Sequence, residues 1–318
     1  MLATKLQAPW SVVRLESGAA LISERDAGTI VEYSNGSIRT VGKVDGVVHD
    51  QEGGLLGLAV LNSGATYLYA YYTSASDNRI VRMPLLGSPG SYSLGPQTVI
   101  LKGLEKASNH NGGRLAFGPD GKLYATVGDA TEPDRAQSLA SLNGKILRMN
   151  PDGSVPVDNP FPGSLVYSYG HRNPQGLAWD SNGQLWASEF GQDTWDEFNR
   201  IEPGKNYGWP TVEGIGNQAG FVDPVLEWST DQASPSGLCF VDGTFFMVGL
   251  RGQRLWVIQT NPADPTDWFS GEYGRLRDVI PGPNNTIWVL TNNTDGRGDP
   301  TPQDDRLLEI RLASPQEG

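Results

Sequence analysis

Gly183-Gln184-Leu185-Trp186-Ala187-Ser188 is a turn residue followed by a short apolar strand, and the same arrangement occurs five more times along the chain. The other copies are Gly18-Ala19-Ala20-Leu21-Ile22-Ser23, Gly64-Ala65-Thr66-Tyr67-Leu68-Tyr69, Gly121-Lys122-Leu123-Tyr124-Ala125-Thr126, Gly243-Thr244-Phe245-Phe246-Met247-Val248 and Asn285-Thr286-Ile287-Trp288-Val289-Leu290. Their starts lie 46, 57, 62, 60 and 42 residues apart. Further runs follow at similar offsets, at Gly28–Tyr33, Asn78–Met83, Gly144–Met149 and Gln253–Ile258. A period of about 50 residues holding several short strands is the pattern of propeller blades. Six copies predict an all-β, six-bladed β-propeller with four-stranded antiparallel blades. A pair of β-sandwiches is the rival, but it does not account for repetition carried through the whole chain. No linker separates two halves, so residues 1–318 read as one domain. The tail after Leu312 is expected to fray.

Composition agrees. Gly 40 and Pro 22 of 318 residues are rich in turns, and charged residues, at 19%, are fewer than the usual quarter. Twenty-four basic against 36 acidic side chains leave a net charge of −12, which argues against nucleic acid or anionic lipid as a general partner. No apolar run approaches the roughly 18 residues of a membrane span, and Met1-Leu2-Ala3-Thr4-Lys5 has no signal-peptide architecture. This start suits either a cytoplasmic protein or a mature form with a new Met. The single Cys239 excludes an intramolecular disulfide, a cysteine-rich zinc site and a Cys-x-x-Cys-His haem attachment. Redox chemistry would therefore need an organic cofactor or a separate protein.

Segments 131–143, 192–199 and 211–236 exceed hairpin turns, and such insertions are where propellers carry function. Eight residues beyond each repeat's turn stand Asp26, Tyr72, Asp129, Gly191, Arg251 and Asn293, all expected at one end of the blades. Of three histidines, His110 lies in the glycine-rich run Asn109-His110-Asn111-Gly112-Gly113, where backbone can approach a ligand closely. A general base and a hydrogen-bonded structural histidine are both open for it, and equally for His171 in Gly170-His171-Arg172-Asn173-Pro174. His49 reads as a surface-loop residue. Acidic residues gather in Ser188–Glu197, ahead of Asn206-Tyr207-Gly208-Trp209-Pro210, which fits either a calcium loop or a solvated acidic turn. Arg275-Leu276-Arg277 puts two guanidiniums on one face of a strand, as an anion clamp or as two outward salt bridges. Gly-x-Gly-x-x-Gly, Walker, Gly-x-Ser-x-Gly and His-Glu-x-x-His motifs are absent from the sequence.

Taken together, Glu52-Gly53-Gly54-Leu55-Leu56-Gly57, HNGGRLAFGPDGKLYATVGD (110–129), LNGKILRMNPDGSVPVDNPF from Leu142, GHRNPQGLAWD from Gly170, SEFGQDTWDEFNRI from Ser188, NYGWP from Asn206 and RLRDV from Arg275 resemble the soluble PQQ-dependent sugar dehydrogenases, the glucose/sorbosone and aldose dehydrogenase family. The resemblance spans residues 52 to about 291 in the family's order, and it too implies a six-bladed propeller.

The resemblance implies specific roles. His110 would be the base that takes the proton of the anomeric hydroxyl, and Asp129 the carboxylate that orients it. Arg172 and Asn173 would contact the quinone side of pyrroloquinoline quinone (PQQ), and Arg251, Arg275 and Arg277 its carboxylates. Thr291 would supply a hydroxyl contact. The carbonyls of Gly191 and Gln192 would hold the cofactor's Ca²⁺, a Lewis acid. Glu197 with the Tyr207 backbone would form a separate structural calcium site. The chain also departs from the family pattern. Glu52 stands where a glutamine is usual near the substrate, Phe190 replaces a polar cofactor neighbour, and Arg251 replaces a lysine. The long substrate-covering loops of the glucose enzymes are missing, which favours broad aldose specificity.

The implied activity is PQQ- and Ca²⁺-dependent oxidation of the C1 hydroxyl of aldose sugars to lactones. An external acceptor such as a quinone, dye or cytochrome would then take the electrons. A monomer or homodimer in the periplasm or outside the cell is the implied setting. The rival functions are a calcium-dependent lactonase, which would use the acidic loop without an arginine clamp, and a non-catalytic carbohydrate-binding propeller.

Overall fold

The computed structural model describes residues 1–259 and 265–313. Most of the tail expected to fray beyond Leu312 lies outside the described residues. Six antiparallel sheets follow one another in chain order. Blade one comprises Pro9–Arg14, Ala20–Glu24, Thr29–Ser34 and Ser37–Lys43; blade two begins with Leu55–Asn62, Thr66–Thr73 and Asn78–Leu86. Blade three comprises Leu115–Phe117, Leu123–Val127, Lys145–Met149 and Val166–Tyr169, and blade four Pro174–Trp179, Leu185–Glu189, Trp195–Ile201 and Leu226–Ser229. Blade five comprises Pro235–Val241, Thr244–Gly249, Leu255–Gln259 and Thr266–Trp268; blade six has Leu276–Pro281, Thr286–Thr291 and Leu307–Arg311. No helix among the described residues is long and apolar enough to cross a membrane.

All six repeats recognised in the sequence are the second strands of their blades. Each of these strands is buried on both faces, which explains why it reads as an almost continuous apolar run. In blade two, Leu68, Ala70 and Tyr72 pack towards blade one while Tyr69 and Tyr71 pack towards blade three. In blade six, Ile287 and Val289 face blade five, and Trp288 and Leu290 face blade one. One apolar cluster therefore fills each gap between neighbouring blades, all the way round the ring. The residue before each repeat's strand has a left-handed backbone, from φ 87° at Gly18 to φ 56° at Asn285, so glycine or asparagine is required by conformation.

Four blades have four strands, as expected, and two differ. In blade two both Ser93–Leu94 and Thr98–Leu104 pair with Asn78–Leu86. In blade six the chain's own three strands are extended by the N-terminal segment, where Ala3 bridges to Leu307 and the Leu6 amide donates to Asp305 at 3.0 Å. That pairing joins the first and last blades. Two of the expected insertions are also shorter than the sequence suggested. Residues 195–199 belong to the strand Trp195–Ile201, and 211–236 contains Leu226–Ser229 and the start of Pro235–Val241.

The first strands line the axis, and five of the six are irregular at one end. The register slips between Pro9 and Ser11, Leu55 and Leu58, Pro174 and Gly176, Pro235 and Leu238, and Leu276 and Asp278. A bulge re-aims the side chain it contains. Below this level, Arg114 of blade three crosses to Asp278 of blade six, with Nη1 to Oδ2 at 2.8 Å, and its Nε donates to the Gln175 carbonyl at 2.7 Å. The same Asp278 oxygen accepts the Val12 amide at 2.9 Å. Both side chains are buried, so this pair ties blades one, three, four and six across the axis. Replacing Asp278 by alanine would leave a buried guanidinium without its counter-ion and the buried Val12 amide without an acceptor. The expected loss is about 3–5 kcal/mol in urea unfolding.

Candidate active site

The re-aimed side chains Trp10, Leu56, Gln175 and Arg277 all line one cavity of about 480 Å³. Asp26 and Arg251, two of the positions eight residues past the turns, line it as well, so the shared end expected from the repeats is where the cavity opens. Its wall carries five arginines (Arg25, Arg251, Arg275, Arg277 and Arg297) against the carboxylates of Asp26, Glu52 and Asp295. A chain of net charge −12 thus holds a basic cavity.

Arg275 and Arg277 do meet, as the alternation predicted. Arg275 donates to Asp295 Oδ2 from Nε at 3.3 Å and Nη2 at 3.1 Å, and Arg277 Nη2 lies 3.7 Å from the same oxygen. Arg277 is held in place by Asn292 Oδ1, at 3.1 and 3.0 Å, and by Gln175 Oε1 at 3.0 Å. Burial lowers the pKa of Arg277, and Asp295 opposes this. Burial likewise pushes the Asp295 carboxyl up, but Arg277 and Arg275 pull it below the usual range. The cluster is therefore fixed as ions in a site largely withdrawn from water.

His110 stands at the cavity's edge, beside the lining residues Glu52, Asn111 and Gly112. Its side chain is 18% exposed and its Nδ1 lies 2.8 Å from Asp129 Oδ1. The same Asp129 oxygen accepts the Thr131 amide at 2.9 Å, and Oδ2 accepts Trp209 Nε1 at 2.9 Å. A fully buried carboxylate taking these donors places the imidazole proton on Nδ1, leaving the Nε2 lone pair available. Nε2 has no protein partner among the described residues. The approach is close: a Cβ at Gly128 would sit 2.0 Å from the His110 carbonyl, so only glycine fits there.

His171 resolves the other way. It is fully buried, with Nδ1 on Glu189 Oε2 and Nε2 on Ser168 Oγ, both at 2.8 Å, and it stacks on Tyr207. Both nitrogens are occupied, which makes it structural. His49 is an exposed loop residue, as expected, and it also borders the cavity, with Nδ1 2.9 Å from the Gly53 carbonyl.

The remaining expected residues divide. Glu52, Phe190 and Arg251 are in the cavity wall. Arg172 and Asn173 stand behind it. Asn173 Oδ1 accepts the Gly112 amide at 3.0 Å, while Arg172 Nη1 reaches the Phe190 carbonyl at 3.4 Å and its guanidinium lies over Trp209. Arg172 Nε is buried without a partner, and burial lowers this group's pKa against the pull of Asp129. Thr291 is buried away from the cavity, its hydroxyl donating to Asp305 Oδ1 at 3.0 Å, and the hydroxyl residues on the wall are Ser234 and Thr294.

Gly191 and Gln192 follow Phe190, and their amides are bound by Asp196 Oδ1 at 2.9 Å and Glu213 Oε1 at 2.7 Å. No protein donor reaches their carbonyl oxygens among the described residues. Glu197 lies deeper, accepting the Gly214 amide at 2.8 Å and Asn199 Nδ2 at 3.0 Å. Burial and the neighbouring Glu189 carboxylate push its pKa well above the carboxylate range, and Asn199 Oδ1 beside it is a buried acceptor with no donor. Tyr207 joins this group through its stacking on His171. No group of three His, Cys, Asp or Glu side chains among the described residues is arranged to hold a metal, so a cation here would need carbonyl and amide oxygens as well.

Sequence reasoning did not find Trp10, Arg25, Gln175, Asp295 or Arg297. A signal existed for two of them: Pro9-Trp10-Ser11 and Pro174-Gln175-Gly176, with Pro235-Ser236-Gly237, repeat the start of the bulged first strand.

Comparison with known proteins places this architecture. A PQQ-bound aldose sugar dehydrogenase from Streptomyces coelicolor superposes with a TM-score of 0.94 at 51% identity, over 98% of this chain and 96% of the other. A structure described as a glucose dehydrogenase from Thermus thermophilus gives 0.89 at 41% identity, over 97% and 98%. The aldose sugar dehydrogenase YliI of Escherichia coli is 29% identical over 93% of this chain and 90% of its own. The model of the glucose/sorbosone dehydrogenases matches residues 6–303, and the chain belongs to that family.

Proposed function

We propose that the protein oxidises aldose sugars at C1 with PQQ and Ca²⁺, and that the arginine-walled cavity is the cofactor site. The observation that carries this reading is the set of five arginines around one cavity in an acidic protein. PQQ bears three carboxylates, and guanidiniums suit carboxylates bidentately. A lactonase would need no such cluster. The unpartnered Arg172 Nε and the undonated carbonyls of Gly191 and Gln192 suit a polar quinone and a hard cation.

When bound, PQQ with its Ca²⁺ supplies a polarised carbon that accepts a hydride. The protein residues do the rest. Arg275 and Arg277, with Arg251 at the mouth, hold the cofactor's carboxylates. Arg172 and Asn173, behind the wall, serve the quinone side. His110 Nε2 takes the proton of the anomeric hydroxyl, and Asp129 keeps the other ring nitrogen protonated and stabilises the imidazolium. Two electrons and two protons leave the sugar as it becomes the lactone, and an external quinone, dye or cytochrome carries the electrons away. Glu197, Asn199 and the Tyr207 carbonyl form the structural calcium site. The open mouth without long covering loops suits many aldoses, and the reading assigns the protein to the periplasm or the cell exterior.

The test is dye reduction by metal-stripped protein across a panel of aldoses, with and without PQQ and Ca²⁺. Activity requiring both additions is expected, and turnover without PQQ would contradict the proposal. His110→Ala should abolish turnover while PQQ still binds. Asp129→Asn should lower kcat by about 10²–10⁴-fold, because the amide no longer fixes the tautomer. Calcium should raise the Tm of the stripped parent protein by several degrees but leave Glu197→Gln unchanged. An equal rise in both would place the structural calcium elsewhere.

A further inference from the structure

The blade-six loop at residues 294–297 reaches over the cavity mouth to the segment that carries His110. Arg297 lines the cavity and is half exposed. It donates from Nη1 to Glu52 Oε1 at 2.7 Å and from Nη2 to Asn109 Oδ1 at 3.4 Å. The other Glu52 oxygen, Oε2, accepts the His110 amide at 3.1 Å. His110 has φ 60°, a conformation that costs a non-glycine residue roughly 1–2 kcal/mol and must be held by its surroundings. On the other side of the loop, Asp295 Oδ1 accepts the Arg297 amide at 2.9 Å while Oδ2 binds Arg275. One short loop thus touches the arginine pair directly and the backbone of the base through Glu52.

An exposed ion pair such as Arg297–Glu52 adds only about 0–1 kcal/mol to stability. Its consequences are for position and charge. Glu52 can hold the His110 backbone only by placing a carboxylate next to the ring, and an uncompensated charge there would favour the imidazolium over the free base. The other charged and titratable groups around it are Asp129, bonded to Nδ1, Arg172 behind it, and on the cavity wall Asp26, His49, Arg25, Arg251, Asp295 and the Arg275/Arg277 pair. We propose that Arg297 is a positioning residue for the base, aiming the Glu52 carboxylate at the His110 amide and cancelling its charge. The catalytic consequence rests on the dehydrogenase reading above, whereas the electrostatic consequence does not.

The variants that test this are Arg297→Gln, Arg297→Lys, Glu52→Gln and the double variant Glu52→Gln/Arg297→Gln. In protein without cofactor, the His110 ring signal can be followed by NMR against pH, assigned by its loss in His110→Gln. Its titration midpoint is expected to lie about half a pH unit higher in Arg297→Gln than in the parent. Arg297→Lys should restore the parent midpoint, and the double variant should match Glu52→Gln. In the reconstituted enzyme the acid limb of kcat/KM should move the same way in Arg297→Gln. An unchanged midpoint in Arg297→Gln, or a shift that persists when Glu52→Gln is already present, overturns the proposal. A midpoint shift in a protein that oxidises no sugar would uphold the positioning role and contradict the dehydrogenase reading instead.

Discussion

The cavity depends on irregular first strands. A regular strand at the axis would send alternate side chains into the gaps between blades, where the apolar clusters lie. The bulges at the cavity end of four first strands turn Trp10, Leu56, Gln175 and Arg277 towards the axis instead. Beneath them, the buried Arg114–Asp278 pair fixes the spacing of four blades, and the Arg114 guanidinium stacks over Trp10, 4.4 Å from its ring centre. The floor of the site is therefore built from the same contacts that hold the ring of blades at a fixed spacing.

On that floor the electrostatics are arranged in two compartments. Arg275, Arg277 and Asp295 form a basic cluster with water largely excluded, where each guanidinium is oriented by a named acceptor. His110, Asp129 and Trp209 form the other, in which one imidazole nitrogen is committed and the other is left available. A site that binds an anion and removes a proton needs both. Neither would be stable if its buried ions lacked partners. The loop of Asp295 and Arg297 connects the two by hydrogen bonds, to Arg275 on one side and through Glu52 to the His110 amide on the other.

Much of this was legible from the residues. The second strands were recognisable because burial on both faces makes them apolar throughout and the preceding turn requires glycine or asparagine. Alternation suggested the Arg275/Arg277 pair without deciding between a clamp and outward salt bridges, and the partnership of His110 with Asp129 was implied by the family resemblance. The first strands were not, because they open with proline or carry polar axis residues such as Gln175 and Asp278, which read as loop. Trp195–Ile201 looked like an acidic loop because its carboxylates Asp196 and Glu197 are buried and bind backbone amides instead of facing water. Asp295 and Arg297 acquire their roles only through contacts between distant segments, and no local pattern announces such contacts. The same holds for the N-terminal pairing that completes blade six.

The central claim is that the arginine cluster makes this cavity a site for a polycarboxylate cofactor. Calorimetric titration of PQQ, with Ca²⁺ present, into the stripped parent and into Arg275→Gln/Arg277→Gln tests it most directly. The account predicts one PQQ bound per chain by the parent and at least about a hundred-fold weaker binding by the double variant, roughly two factors of ten at 1.4 kcal/mol each. Equal affinity in the two proteins, or no binding by the parent, would contradict it.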